Sequence, residues 1–234
     1  MKSFFLIVSV LIFASKSHSQ VTDVDGNSYK TTVIGSQTWM AENYKVAHFR
    51  NGDTIRELKS RKEWLEAIKN KEPGWSYYKN KKNAEYGKIY NHYAVYDSRD
   101  LAPEGWHIAG ADNDWYKLIR FLEKDTAAFC AVKQNVLTSL KSTEGWKYNN
   151  GTNTTGFDAK PFGLINYKGR FKKKYFNRFY RESMEFAIWH NFYELGHVCW
   201  CAFDGGYEFC PNCEFESHKK SELNIGYYIR CVKD

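Results

Sequence analysis

Residues 225–232, I-G-Y-Y-I-R-C-V, predict a strand that closes the chain. β-Branched and aromatic side chains fill this stretch, and such side chains favour extended backbone. Near the other end, Y-K-T-T-V-I (29–34) and Q-T-W-M-A (37–41) predict two further strands, joined by a turn at Gly35 and Ser36. The chain therefore begins with strands and returns to a strand.

Helical patterns lie between these ends. The predicted helices cover residues 61–70, 86–95, 112–124 and 133–140. The first places Trp64, Leu65 and Ile68 on one face, and Asp112 is a suitable N-cap for the third. After Gly145 the helical period gives way to short aromatic segments between glycine- and asparagine-rich turns. This order of strands, helices and returning strands predicts an α+β fold rather than a βαβ alternation.

The first 19 residues have the composition of an export signal. Lys2 precedes an apolar run, and a small, polar exit follows, with Ser17 and Ser19 placed for cleavage after residue 19. The run is too short to cross a bilayer, which takes about 20 apolar residues. A buried N-terminal helix is the alternative. The sequence thus predicts a signal peptide at 1–19 and a mature domain at 20–234 that is periplasmic, secreted or on the cell surface, without a transmembrane segment.

A basic, aromatic segment lies in the second half of the chain. The chain has a formal net charge of +7 and 18% aromatic residues, and residues 168–181 interleave cations with Phe and Tyr. Such a segment suits an anionic polysaccharide, a lipid headgroup surface or single-stranded nucleic acid, and export argues against nucleic acid. The alternative is a solvated hairpin whose cations face water. If the segment binds a ligand, the predicted contacts are Arg170, Lys172, Lys173, Lys174 and Arg178.

Four cysteines lie close together as C-x-C-x8-C-x2-C, at Cys199, Cys201, Cys210 and Cys213. In an exported protein this spacing predicts disulfides across a hairpin that turns at residues 204–206. A zinc ion held by the four thiolates and free thiols are the alternatives. Cys130 and Cys231 are the other disulfide candidates. No cofactor is predicted, and a catalytic cysteine is disfavoured because no sequence feature supplies an orienting acid for His197.

The tryptophans divide into two groups. Trp75 and Trp200 lie in loop-like or cysteine-rich surroundings and are candidate exposed faces for stacking on a ligand. The others lie in patterned segments and are predicted to be core residues: Trp39, Trp64, Trp106, Trp115, Trp146 and Trp189.

Several blocks resemble one bacterial family. W-M-A-E-N at 39–43, P-E-G-W-H at 103–107 and R-C-V-K-D at 230–234 are similar to blocks of the Fibrobacter succinogenes major paralogous domain and occur in the same order. The opening D-V-D-G-N at 23–27 and G-Y at 226–227 resemble it as well. The resemblance covers nearly the whole mature chain.

This resemblance implies a C-type-lectin-like fold, with short helices on small antiparallel sheets and long loops, related to the formylglycine-generating-enzyme domain. It implies an exported or surface protein of Bacteroidetes or Fibrobacteres, but no reaction. The calcium-binding triplets of sugar-binding C-type lectins are absent, so calcium-dependent binding is not predicted. The family usually has cysteine where Ala102 stands, as the partner of the last-strand cysteine. Cys130 is the candidate replacement that would pair with Cys231.

Fold and export together predict a non-catalytic binding module, with a cell-surface or extracellular glycan, such as an anionic polysaccharide, as its partner. The candidate contacts are the five cations given above and Trp200. Two alternatives stay open. One is an enzyme that uses a cysteine or zinc centre within residues 199–213, related to the formylglycine-generating fold. The other is a purely structural surface protein.

Overall fold

The computed structural model of the protein describes residues 19–78, 86–110, 114–123, 134–146, 150–160, 164–165, 168–172 and 226–234. The first strand starts at Gln20, directly after the predicted cleavage point. Residues 1–18 lie outside the described residues, so the signal peptide stays a prediction. None of the described helices has the length and apolar character needed to span a lipid bilayer.

The described strands, numbered in chain order, form two sheets. The first contains β1 (Gln20–Thr22), β2 (Ser28–Ile34), β3 (Gln37–Met40), β7 (Trp106–Ile108) and β11 (Cys231–Lys233), in the order β1-β2-β3-β11-β7. The second contains β4 (Arg56–Glu57), β5 (Gly74–Ser76), β6 (Ile89–Asn91), β8 (Leu164–Ile165), β9 (Phe171–Lys172) and β10 (Gly226–Tyr227), in the order β4-β5-β6-β10-β8-β9. β4 runs parallel to β5, and the other pairs are antiparallel. With the helices below, this confirms the α+β class.

The C-terminal stretch is two strands in different sheets, so the prediction of one strand over residues 225–232 is wrong. β10 pairs with β6 and β8, whereas β11 pairs with β3 and β7. Between them, the carbonyl of Ile229 accepts from the amide of Tyr44 at 2.9 Å, and that of Arg230 accepts from the amide of Ala109 at 3.0 Å. The link is thus bonded to neighbouring loops while it carries the chain from one sheet to the other.

The described helices are α1 (Arg61–Asn70), α2 (His92–Val95), α3 (Tyr116–Glu123) and α4 (Gln134–Leu140). α1 has the predicted bounds, and α4 lies within the prediction of residues 133–140. Residues 86–95 are not one helix, because β6 precedes α2 and the side chain of Asn91 caps α2 by accepting from the amide of Ala94 at 2.9 Å. Asp112, the predicted cap of the third helix, lies outside the described residues.

Two buried clusters lie on opposite faces of the first sheet, because successive strand residues point to opposite sides. Trp39 and Val232 belong to one cluster, and their neighbours Met40 and Cys231 to the other. The helix-side cluster includes Ile34, Trp39, Trp64, Trp115, Leu118, Leu140, Phe157 and Val232. The loop-side cluster includes Tyr29, Met40, Tyr44, Phe49, Trp75, Tyr90, Ala102, Ile108 and Cys231.

Candidate functional site

The basic segment is described from Lys168 to Lys172, where it forms the turn and second strand of the β8–β9 hairpin. Gly169 has a φ of 64°, a left-handed conformation that glycine adopts without steric cost. Lys168 and Arg170 flank this glycine and are both exposed. The predicted contact Arg170 therefore lies at an exposed turn.

A helix residue that the sequence analysis did not single out lies against this turn. Arg61 donates from Nε to the carbonyl oxygen of Lys168 at 2.6 Å. A β-carbon on Gly169 would come within 3.2 Å of Cγ of Arg61 and 3.3 Å of Cγ of Leu65, so the turn packs closely on α1. Arg61, Lys168 and Arg170 are all exposed, and these three residues are called the basic face below.

The start of α1 fixes the position of Arg61. Ser60 is the N-cap, and its hydroxyl accepts from the amide of Glu63 at 3.2 Å. In return, the Glu63 carboxylate accepts from the hydroxyl of Ser60 at 3.1 Å and from the amide of Lys59, one residue before the N-cap, at 2.8 Å. The amide of Lys59 holds the pKa of Glu63 below its ordinary value, so this carboxylate is ionised and engaged at the helix end.

The other predicted contacts are only partly placed. Lys172 lies in β9, opposite Leu164 of β8. Lys173, Lys174, Arg178 and Trp200 lie outside the described residues, so their roles stay predictions.

Cys231 is the one cysteine that lies within the described residues. Its thiol has no disulfide partner among the described residues and is buried in the loop-side cluster, together with Ala102, and burial raises the pKa of the thiol. A buried neutral thiol of this kind is a poor nucleophile. The pairing of Cys130 with Cys231 stays a prediction, as do the disulfide and zinc interpretations of the cysteines outside the described residues: Cys199, Cys201, Cys210 and Cys213.

Trp75 is a core residue, and its prediction as an exposed stacking face is wrong. It is 6% exposed and packs in the loop-side cluster. Its indole nitrogen donates to the carbonyl oxygen of Ile55 at 2.9 Å, and the ammonium of Lys88 lies 4.1 Å from the ring centroid. Burial is confirmed for five of the predicted core tryptophans: Trp39, Trp64, Trp106, Trp115 and Trp146. The sixth, Trp189, lies outside the described residues.

A second polar cluster lies on the helix side of the first sheet. His107 of β7 is bonded through Nδ1 to Asp234 at 2.6 Å and through Nε2 to Asp114 at 2.9 Å. Asp114 precedes α3, is buried, and also accepts from the amide of Gly110 at 2.7 Å and the side chain of Gln37 at 3.2 Å. These contacts tie the last residue and the start of α3 to the sheet, and the cluster of Gln37, His107, Asp114 and Asp234 is called the histidine clasp.

The histidine clasp predicts a loss of stability at alkaline pH. Hydrogen bonds to Asp114 and then to Asp234 raise the pKa of His107 to about 9, above its ordinary 6.5. The stabilisation that protonated His107 gives to the folded protein is therefore complete below about pH 6.5 and is lost as the pH rises through 9. Because His107 is 44% exposed, solvent screening limits the contribution to about 1 kcal/mol.

Urea unfolding at neutral pH and at pH 10 measures this contribution. The native protein is expected to lose about 1 kcal/mol more than the His107→Gln variant over this interval, since glutamine does not titrate. Equal losses in the two proteins would show that the clasp contributes nothing through its charge.

Metal binding finds no support among the described residues, where no three carboxylate, imidazole or thiol side chains are arranged to hold an ion. In the acidic loop at residues 23–27, the carboxylate oxygens of Asp23 accept hydrogen bonds from within the loop and from Tyr29. Asp23 accepts from the amides of Asp25 at 3.0 Å and Asn27 at 2.9 Å, and from the hydroxyl of Tyr29 at 2.5 Å. Its oxygens shape a turn and anchor a buried tyrosine.

Sequence reasoning missed Arg61 and the histidine clasp for different reasons. Arg61 and Lys168 are 107 residues apart, and a contact between a side chain and a distant carbonyl leaves no periodic pattern. The clasp has a partial signal, because Gln37 lies two residues before Trp39 and so projects from the same face of β3. Pairing of β7 with β11 brings His107 and Asp234 together, and Asp114 reaches them from the segment before α3.

Two sheets joined by a crossing C-terminal chain, with α1, α3 and α4 packed in the cluster on one face of the first sheet, define a mixed α+β domain. Residues 33–233 match the Fibrobacter succinogenes major domain, and the chain belongs to that family. This confirms the family resemblance inferred from the blocks at 39–43, 103–107 and 230–234. No curated protein and no solved structure matches the chain. The family domain has no known function, so family membership by itself assigns no activity to the chain.

Proposed function

We propose that this protein is a non-catalytic binding module that holds an anionic polysaccharide on its basic face. The observation that best supports this proposal is the contact between Arg61 and Lys168, at 2.6 Å. It brings cations from α1 and from the β8–β9 hairpin onto one exposed surface. The segment that continues from the hairpin adds further cations along the chain: Lys173, Lys174 and Arg178.

The proposed location and architecture rest on the resemblance to the family and on the N-terminal sequence. A C-type-lectin-like domain over residues 20–234, exported by a signal peptide, fits a role in binding glycans outside the cell. Family membership supports this architecture, and a first strand that begins at Gln20 is compatible with cleavage after residue 19.

Binding on this face is expected to depend on several weak contacts. One exposed ion pair contributes about 0.2–1 kcal/mol, so a single small anion would bind weakly. A polysaccharide repeats its charged group, and the first contact raises the effective concentration of the next group. Salt weakens such binding, because the Debye length falls from about 10 Å at about 0.1 M to about 3 Å at about 1 M ionic strength.

Affinity electrophoresis through gels that contain one polymer tests the proposal. We expect polygalacturonate and dextran sulfate to retard the protein at low salt, with most of the retardation lost at about 1 M salt. Neutral dextran is the control for sieving and should not retard it. Equal retardation by neutral dextran, or no retardation by either anionic polymer, would contradict the proposed function.

A further inference from the structure

Arg61 is held in place by contacts at two points of its side chain. Its stem lies against Gly169, and its Nε donates to the carbonyl oxygen of Lys168 at 2.6 Å. The hydrogen bonds of Glu63 with Ser60 and Lys59 fix the backbone from which this side chain projects. Much of the conformational entropy that an exposed arginine loses on binding an anion is therefore lost already in the free protein.

The hydrogen bond at Nε also selects the edge of the guanidinium that remains for a ligand. A guanidinium can bind an oxyanion through the edge that includes Nε or through the end that carries Nη1 and Nη2. The Lys168 carbonyl occupies the first edge. Within the part of the chain that the structure describes, the terminal nitrogens of Arg61 have no hydrogen-bond or ion-pair partner, and the residue is exposed. The free end can donate two parallel hydrogen bonds.

We propose that Arg61 is the residue of the basic face that recognises the charged group of the ligand, an oxyanion whose two oxygens accept from Nη1 and Nη2. This inference rests on the proposed function and adds a requirement for geometry to the requirement for charge. Two polysaccharide groups have this chemistry, the carboxylate of a uronic acid and the sulfate of a sulfate ester. Lys168 and Arg170 add electrostatic attraction.

The decisive variant is Arg61→Lys, which keeps the positive charge but replaces the planar guanidinium and its two terminal nitrogens with a single ammonium group. Affinities for polygalacturonate and dextran sulfate are measured separately by isothermal titration at low salt. For the polymer whose group Arg61 binds, we expect Arg61→Lys to weaken binding about tenfold, nearly as much as Arg61→Ala, because a lysine ammonium cannot donate two parallel bonds. The polymer with the larger loss identifies the group as carboxylate or sulfate.

Lys62→Ala is the matched control, because it removes one exposed cation from the adjacent position of α1. We expect it to change affinity less than about twofold, as for a cation that acts only by diffuse charge. Thermal unfolding of each variant verifies that the fold is kept. Native affinity in Arg61→Lys for both polymers would overturn this inference and leave the proposed function standing. Failure of the native protein to bind either polymer would overturn both.

Discussion

Replacing Arg230 with methionine is expected to lower the free energy of unfolding by about 4 kcal/mol, because it leaves several buried acceptors without donors. Arg230 is 2% exposed and lies where the chain crosses between the sheets. Its Nε donates to Oδ1 of Asn43 at 2.9 Å, and its Nη1 donates to the carbonyl oxygens of Met40 and Phe157, both at 2.9 Å. Its Nη2 reaches the carbonyl oxygen of Asp158 at 3.2 Å. One side chain thus joins β3, a distant loop and the last strand.

Two effects oppose each other in this substitution. Burial lowers the pKa of Arg230 to about 9, because desolvation disfavours the cation more than Asp158 and Glu42 favour it. Methionine removes that cost, but each of the four acceptors left unsatisfied costs about 1–3 kcal/mol. The lost hydrogen bonds are therefore expected to outweigh the gain from removing a buried charge.

Arg230→Lys separates the effect of charge from that of geometry. Lysine keeps the buried charge, but one ammonium group cannot reach all four acceptors that surround the planar guanidinium. It should destabilise the protein at least as much as methionine does. Guanidinium unfolding curves for the three proteins give the comparison. A methionine variant within about 1 kcal/mol of the native protein would show that the arginine network adds little net stability.

Replacing Trp39 with alanine is expected to cost about 3–5 kcal/mol, because it leaves a large cavity in the helix-side cluster. Trp39 is fully buried, with its ring centroid 4.7 Å from that of Trp115 and 5.6 Å from that of Phe157. These tilted and edge-on contacts add to the burial itself. The same phenylalanine ring lies 4.7 Å from the guanidinium carbon of Arg230, so the two substitutions should not be additive.

Trp39→Phe should cost less than half as much as the alanine change. It keeps most of the ring, and it removes an indole nitrogen that has no hydrogen-bond partner among the described residues. Val33→Ala on β2 is the surface control, because Val33 is 70% exposed, and it should change stability by no more than about 0.5 kcal/mol. Equal losses for Trp39→Ala and Val33→Ala in chemical unfolding would contradict the placement of Trp39 in the core.

The local elements of the fold were predictable where one pattern decides them. The hairpin of β2 and β3 follows from strand-forming side chains on both sides of the turn at Gly35, and α1 follows from the apolar face of Trp64, Leu65 and Ile68. The break in the last strand was not predictable, because residues 225–232 have strand-forming side chains throughout. Only the three-dimensional arrangement shows that the carbonyls of Ile229 and Arg230 are bonded to loops.

The candidate site was predictable in part. A run of cations after Gly169 predicts an exposed basic hairpin, and Lys168 and Arg170 are exposed. Trp75 looked like a loop residue because the neighbouring sequence lacks a pattern, yet strand β5 places it in the core. The contact of Arg61 with Lys168 was not predictable, because no local pattern indicates that the start of a helix will contact a turn that lies 107 residues away.

Binding of an anionic polysaccharide is predicted to depend on where the cations lie and not only on how many there are. The direct test compares Lys168→Glu/Arg170→Glu with Lys30→Glu/Lys233→Glu, which changes the net charge equally. The control pair is exposed and lies on the first sheet, whereas the basic face belongs to α1 and the β8–β9 hairpin. The measurement is the affinity for polygalacturonate and dextran sulfate at low salt, by isothermal titration. For the polymer that binds more tightly, we predict that Lys168→Glu/Arg170→Glu lowers the affinity at least about tenfold. Lys30→Glu/Lys233→Glu should lower it less than about threefold. Equal losses in the two variants would show that only the net charge matters and would contradict a binding site on the basic face.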